Sequence, residues 1–83
     1  MADKPLKFRQ LARILRSFGV EWDARQGKGS HGVFFAYIGG GKVTYPIPRG
    51  GDLVQKCYVK ECRRKFKLTE GDGVTDEEFY SAG

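Results

Sequence analysis

The segment Gly27-Lys28-Gly29-Ser30-His31-Gly32-Val33-Phe34-Phe35 contains the single histidine of an 83-residue chain. An imidazole, with an unperturbed pKa of about 6.5, keeps both protonation states available near neutrality and is the natural candidate for a general acid or base. A reaction that suits a lone imidazole without a metal is cleavage of RNA. There the 2′-hydroxyl beside the scissile phosphate is the nucleophile, and the protein supplies a base, a stabiliser of developing charge and an acid for the departing 5′-oxygen. Arg25 and Lys28 carry charge suited to the phosphate, Gly27 and Gly29 let the backbone approach it closely, and Ser30 would orient the imidazole or bind phosphate. The same residues admit a plainer reading, in which His31 is an ordinary histidine at a strand start, the glycines form a turn, and Arg25 and Lys28 are solvated. The glycine spacing, with no helix after it, excludes a nucleotide-phosphate loop.

The charge distribution bears on the partner. Lys and Arg number 15 against 10 Asp and Glu, and every basic residue precedes Thr69. Five acids precede it too, so the body of the chain carries +10, while Glu70, Asp72, Asp76, Glu77 and Glu78 give residues 70–83 a charge of −5. A basic body of this kind suits a polyanion such as nucleic acid, or forms a solvated surface that aids solubility. No apolar run approaches a membrane span or the core of a signal peptide, so the expected location is the cytoplasm and no membrane partner is expected. Cys57 and Cys62 stand five apart in an expected helix, roughly 140° from each other around its axis. Neither a shared disulfide nor a zinc site fits that spacing, and two half-buried structural thiols are expected, with no metal and no cofactor.

The elements that position these residues follow from periodicity. Phe8, Leu11, Ile14, Leu15 and Phe18 recur at helical spacing and predict an amphipathic helix from Lys4 to Phe18, with Arg9, Arg13 and Arg16 on other faces, Pro5 in its first turn and Gly19 at its left-handed end. Val20–Gln26 holds a short strand anchored by Trp22; Gly32–Ile38 is a stronger strand; Gly39-Gly40-Gly41 turns the chain; Val43–Ile47 returns as a third strand, limited by Pro46. A second helix runs from Leu53 to about Lys67 with Asp52 as N-cap. Its buried stripe is Tyr58 or Val59, Cys62 and Phe66. Its basic stripe contains Lys56, Lys60, Arg63 and Lys67, spaced to follow a phosphate backbone or simply to face solvent. Thr75 caps a final short helix carrying Phe79. The whole is one domain, residues 1–83, of α+β class: two helices on one face of a three-stranded antiparallel sheet in an α-β-β-β-α order like that of double-stranded-RNA-binding domains. Strand alternation groups His31, Val33, Phe35 and Tyr37 on one face and Phe34, Ala36 and Ile38 on the other. If the helices cover the Phe34 face, Phe35 and Tyr37 are left to stack unpaired bases or anchor a protein partner; two-sided burial is the alternative.

Over most of its length the chain resembles the HicA toxins, small ribonucleases of bacterial toxin-antitoxin pairs. The likeness lies in the basic first helix ending Phe18-Gly19-Val20, the Gly27-Lys28-Gly29-Ser30-His31 segment before an aromatic strand, the glycine hairpin, the strand end at Pro46, Gly50 to Leu53 leading into a basic helix, and the ending Val74-Thr75-Asp76-Glu77-Glu78-Phe79. The resemblance implies metal-independent cleavage of mRNA, with His31 in the position of the family's catalytic histidine and a HicB-type antitoxin as protein partner. Many members carry a second histidine where this chain has Gly32 and another where it has Pro48. A non-catalytic RNA-binding module of double-stranded-RNA-binding type is the competing reading, and the His31 segment separates the first from it; a basic scaffold that binds only protein is the third and would need the open aromatic face and nothing else.

Overall fold

A computed structural model describes residues 3–23, 32–47 and 52–83. In chain order these form β1 (Leu6–Lys7), α1 (Phe8–Ser17), β2 (Glu21–Asp23), β3 (Val33–Ile38), β4 (Gly41–Pro46), β5 (Leu53–Val54), α2 (Lys56–Lys65), a 3-10 turn (Glu70–Asp72) and α3 (Asp76–Ser81). The protein is α+β, with β2, β3 and β4 in a three-stranded antiparallel sheet and β1 paired with β5 in a separate antiparallel ribbon. The hairpin between β3 and β4 turns through Gly39 and Gly40, both at positive φ (60° and 83°), the conformation a two-residue primed turn requires.

The ribbon explains where both long helices begin. Leu6 and Lys7 are extended because they pair with Val54 and Leu53, so α1 starts at Phe8 instead of Lys4, and Pro5 precedes a strand instead of occupying a first helical turn. For the same reason α2 starts at Lys56, behind Gln55. Asp52 is not its N-cap; the Asp52 main-chain carbonyl accepts a hydrogen bond from the Phe8 N–H at 2.6 Å. Two-residue strands almost fifty positions apart leave no periodic trace in the sequence, which is why tertiary pairing overrides the helical pattern there.

One apolar core joins the sheet to the helices. Leu11, Ile14 and Leu15 from α1, Phe34 and Ala36 from β3, Val59 and Cys62 from α2, Phe66 just beyond it and Phe79 from α3 are all buried. Phe8, Trp22 and Phe34 form a three-ring cluster that fastens β2 to β3 beneath α1. The Trp22 ring meets Phe8 edge-on at 4.8 Å and Phe34 at 4.7 Å, and such pairs contribute about 0.5–1.5 kcal/mol each beyond burial. The helix-facing side of the sheet is therefore the Phe34 side. The opposite side carries Val33, Phe35 and Tyr37, with Tyr37 73% exposed.

The C-terminal segment is held to the body by Arg63. Its Nη1 donates to Asp3 Oδ1 (2.8 Å) and Asp76 Oδ1 (2.7 Å), its Nε to the Leu68 carbonyl (2.9 Å) and its Nη2 to the Val74 carbonyl (3.4 Å). The guanidinium also lies over the Phe79 ring at 4.7 Å. Tyr80 joins the cluster by donating its hydroxyl proton to Asp3 at 2.8 Å. Thr75 accepts from the Glu78 N–H and caps α3, as its Thr-x-x-Glu spacing predicts.

Candidate functional site

His31, Arg25, Lys28 and Ser30 lie outside the described residues, so the geometry available begins one residue after the histidine. Gly32 is buried. A Cβ built there would run into the Trp22 ring and sit 2.8 Å from the Asp23 carbonyl oxygen, so no side chain fits between β2 and the start of β3. The aromatic cluster that fastens Trp22 thus dictates the residue directly after His31. No side chain, histidine included, can take that place without displacing Trp22.

From Gly32 the chain enters β3, and the two proposed partner-binding residues fall on its uncovered side. Phe35 and Tyr37 meet edge-on, ring centroids 6.3 Å apart, and Lys42 on β4 holds its ammonium 4.9 Å from the Phe35 ring centre. Antiparallel register sets Phe35 opposite Thr44 on one neighbour and Glu21 on the other, and Tyr37 opposite Lys42. The open face is therefore aromatic at its centre, cationic toward β4 and acidic toward β2. That arrangement offers π-surface and a cation to a base or to an apolar side chain.

The basic positions of the second helix divide. Lys56, Lys60 and Lys67 are exposed. Arg63 is not: it is 3% exposed and spends its donors on Asp3, Asp76 and two carbonyls, so the expectation that it contacts RNA from a solvent-facing stripe is corrected. The physical reason is that α2 packs against the sheet on one side and receives the C-terminal segment on another. Position 63 faces that segment, and a guanidinium there can satisfy two carboxylates and two carbonyls at once. Arg64 is turned to Glu61, with Nη2 to Oε2 at 2.7 Å, and this pair holds the Glu61 carboxyl below its ordinary range. The two thiols divide as well. Cys62 is buried, its thiol pushed up to about 12 by that burial, whereas Cys57 is exposed, so only one of the expected half-buried pair is interior.

Lys67 stands in the left-handed region, φ 56°, at the end of α2. The Leu68 N–H reaches the Arg63 carbonyl (2.8 Å) and the Lys67 N–H the Arg64 carbonyl (3.4 Å), the double closure that ordinarily has glycine at this position.

A second basic feature is on α1. Arg9, Arg13 and Arg16 are all exposed, and a groove of about 420 Å³ runs between α1 and β2, lined by Arg13 and Arg16 on one wall and Glu21 and Trp22 on the other. The signal for this row was present in the i, i+4, i+7 spacing, but periodicity alone could not show that β2 leaves a cleft beside it. Among the described residues no group of three or more His, Cys, Asp or Glu side chains is placed to hold a metal ion, and no helix is long and apolar enough to cross a membrane. Compared with known proteins, the chain matches no family model, no curated protein and no solved structure.

Proposed function

We propose that the protein is a metal-independent endoribonuclease acting on mRNA, the toxin of a toxin-antitoxin pair, with His31 as general acid or base. One observation carries this reading: the Gly27–His31 segment feeds directly into the strand whose uncovered side presents Phe35 and Tyr37 with Lys42 beside them. A catalytic imidazole needs its substrate held at the same place, and an exposed tyrosine beside a half-buried phenylalanine and a cation suits unpaired bases and their phosphates. The succession of α1, the β2–β3–β4 sheet and α2 agrees with a layout of double-stranded-RNA-binding type. The same aromatic pair serves as the anchor for a HicB-type antitoxin, which would block substrate by occupying that side, and the working compartment is the cytoplasm.

In the proposed step the 2′-oxygen attacks the adjacent phosphorus and the bond from phosphorus to the 5′-oxygen breaks. His31 takes the proton of the 2′-hydroxyl or gives one to the leaving 5′-oxygen, and the products are a 2′,3′-cyclic phosphate and a 5′-hydroxyl. Incubating the protein with an unstructured mRNA fragment in excess EDTA tests this. The wild type is expected to cut and to leave those two ends, and His31→Ala to lose at least about a hundredfold in rate with an unchanged melting temperature. Equal cleavage by the alanine variant, or products with 5′-phosphate ends, refutes the assignment.

The filled space at Gly32 favours a second reading. If the chemistry requires the adjacent histidine that many HicA-like chains carry, this fold excludes it, and the protein binds RNA without cutting it. In the same experiment that reading gives a shifted RNA complex with no cleavage by either protein.

A further inference from the structure

The arginines of this protein are not used alike. Of the five that are described, Arg63 is buried among carboxylates and carbonyls and Arg64 is paired with Glu61, whereas Arg9, Arg13 and Arg16 are exposed and no ion pair joins them to a described carboxylate. At 100° per residue these three project within an arc of about 60° along α1. The helix itself, Phe8–Ser17, contains no acidic residue to neutralise them. Two of the three form one wall of the groove of about 420 Å³ against β2. The backbone before the groove is secured: Phe18, Gly19 and Val20 close the helix through hydrogen bonds from the Gly19 N–H to Arg16 (3.0 Å) and from the Val20 N–H to Leu15 (2.9 Å), so the row ends at a fixed corner.

We infer that the row Arg9, Arg13 and Arg16, with the groove beside β2, binds the phosphodiester backbone of RNA. The occupant follows from charge and donor geometry. Three guanidinium groups on one face, without an ion pair among the described residues, suit an anion that repeats along a line, and planar forks suit phosphate oxygens. A nucleotide base is the poorer fit, because the Trp22 ring that lines the groove is already engaged edge-on with Phe8 and Phe34 and packed over Gly32. This inference rests on the RNA reading above and adds to it the surface along which the strand runs.

The test uses a labelled 2′-O-methyl oligoribonucleotide, which lacks the nucleophile and cannot be cut, titrated with full-length protein over a range of salt concentrations. Arg13→Gln with Arg16→Gln is expected to weaken binding about tenfold at 0.1 M salt and to lower the slope of log affinity against log salt by about 1.4, or 0.7 per lost phosphate contact on a single strand. Both side chains are exposed, so the melting temperature should hold; if it falls, Arg9→Gln with Arg16→Gln gives the same comparison without touching Arg13, whose stem packs on Gly83. Wild-type binding with an unchanged slope in the folded double variant overturns the inference while leaving the RNA reading intact. Absence of RNA binding by the wild type overturns both. Retained RNA binding with loss of binding to a polyglutamate peptide assigns the row to an acidic protein and overturns the inference as well.

Discussion

Helices α1 and α2 are each ten residues long, and each ends in the same double hydrogen-bonded closure, yet they use their basic residues in opposite ways. On α1 the arginines face outward beside an open groove, and the left-handed closing position is Gly19 at φ 86°. On α2 one arginine points inward to hold the chain's acidic C-terminal segment, another is tied to Glu61, and the closing position is Lys67 at φ 56°. The difference teaches that the charge of a helix is no guide to its role until its neighbours are known. Arg63 and Arg13 have the same chemistry; one is buried against Asp76 and the half-buried Asp3, and the other meets solvent.

The largest effect that would sharpen this contrast is on stability. Arg63→Ala removes the hydrogen bonds to Asp76 and Asp3 and the stacking on Phe79, and breaking a buried pair of this kind costs about 3–5 kcal/mol. In a domain this small that is a large share of the total. Lys60→Ala, one turn away but exposed, should stay within about 0.5 kcal/mol of the wild type. Denaturant titration of both variants decides the matter; comparable midpoints would erase the distinction drawn between positions 60 and 63.

Smaller effects appear as pH dependence. The hydrogen bond from Arg63 holds the Asp76 carboxyl below its ordinary range. Its stabilising contribution is complete above the unfolded value near 4 and is lost as pH falls through the lower folded value, so acid unfolding should begin below about pH 4. The Arg63→Ala variant should have a flatter acid limb. At the other end the Cys62 thiol and the Tyr80 hydroxyl are both pushed up to about 12, in each case chiefly by burial. The unfolded chain gives up these protons first, from about pH 9 for the thiol and about pH 10 for the phenol, so stability declines from there toward pH 12. Melting curves of Cys62→Ala should show a shallower alkaline decline than the wild type even if the variant is less stable at neutral pH. A parallel decline in both proteins would mean that Cys62 plays no part in it.

The smallest predicted change is at the end of α2. Lys67→Gly relieves a left-handed lysine and should stabilise the fold by up to about 1 kcal/mol, while removing a charge that the RNA reading places against phosphate. Gly19→Ala at the equivalent place on α1 should destabilise by a similar amount, since its φ of 86° is the strained direction for any side chain. Opposite signs in the two melting temperatures would show that the helices share a closing geometry and differ only in which residue fills it.

Much of this architecture was legible in the residues. The spacing of Leu11, Ile14 and Leu15 determined the buried stripe of α1. Alternation in Val33–Ile38 grouped Phe34 with Ala36 and Phe35 with Tyr37, paired glycines specified the hairpin, and Thr75 with Glu78 specified the α3 cap, because each depends on interactions within a few residues. Three matters were decided by tertiary structure. The β1–β5 ribbon moved both helix starts, since pairing across most of the chain outweighs local helical preference. Helix packing selected the Phe34 side as interior, a choice that alternation alone leaves symmetrical. The return of the C-terminal segment across α2 turned Arg63 from one of a row of solvated cations into the residue that holds two carboxylates, and no reading of spacing could supply that because Asp3 stands 60 positions before Arg63 and Asp76 13 after it.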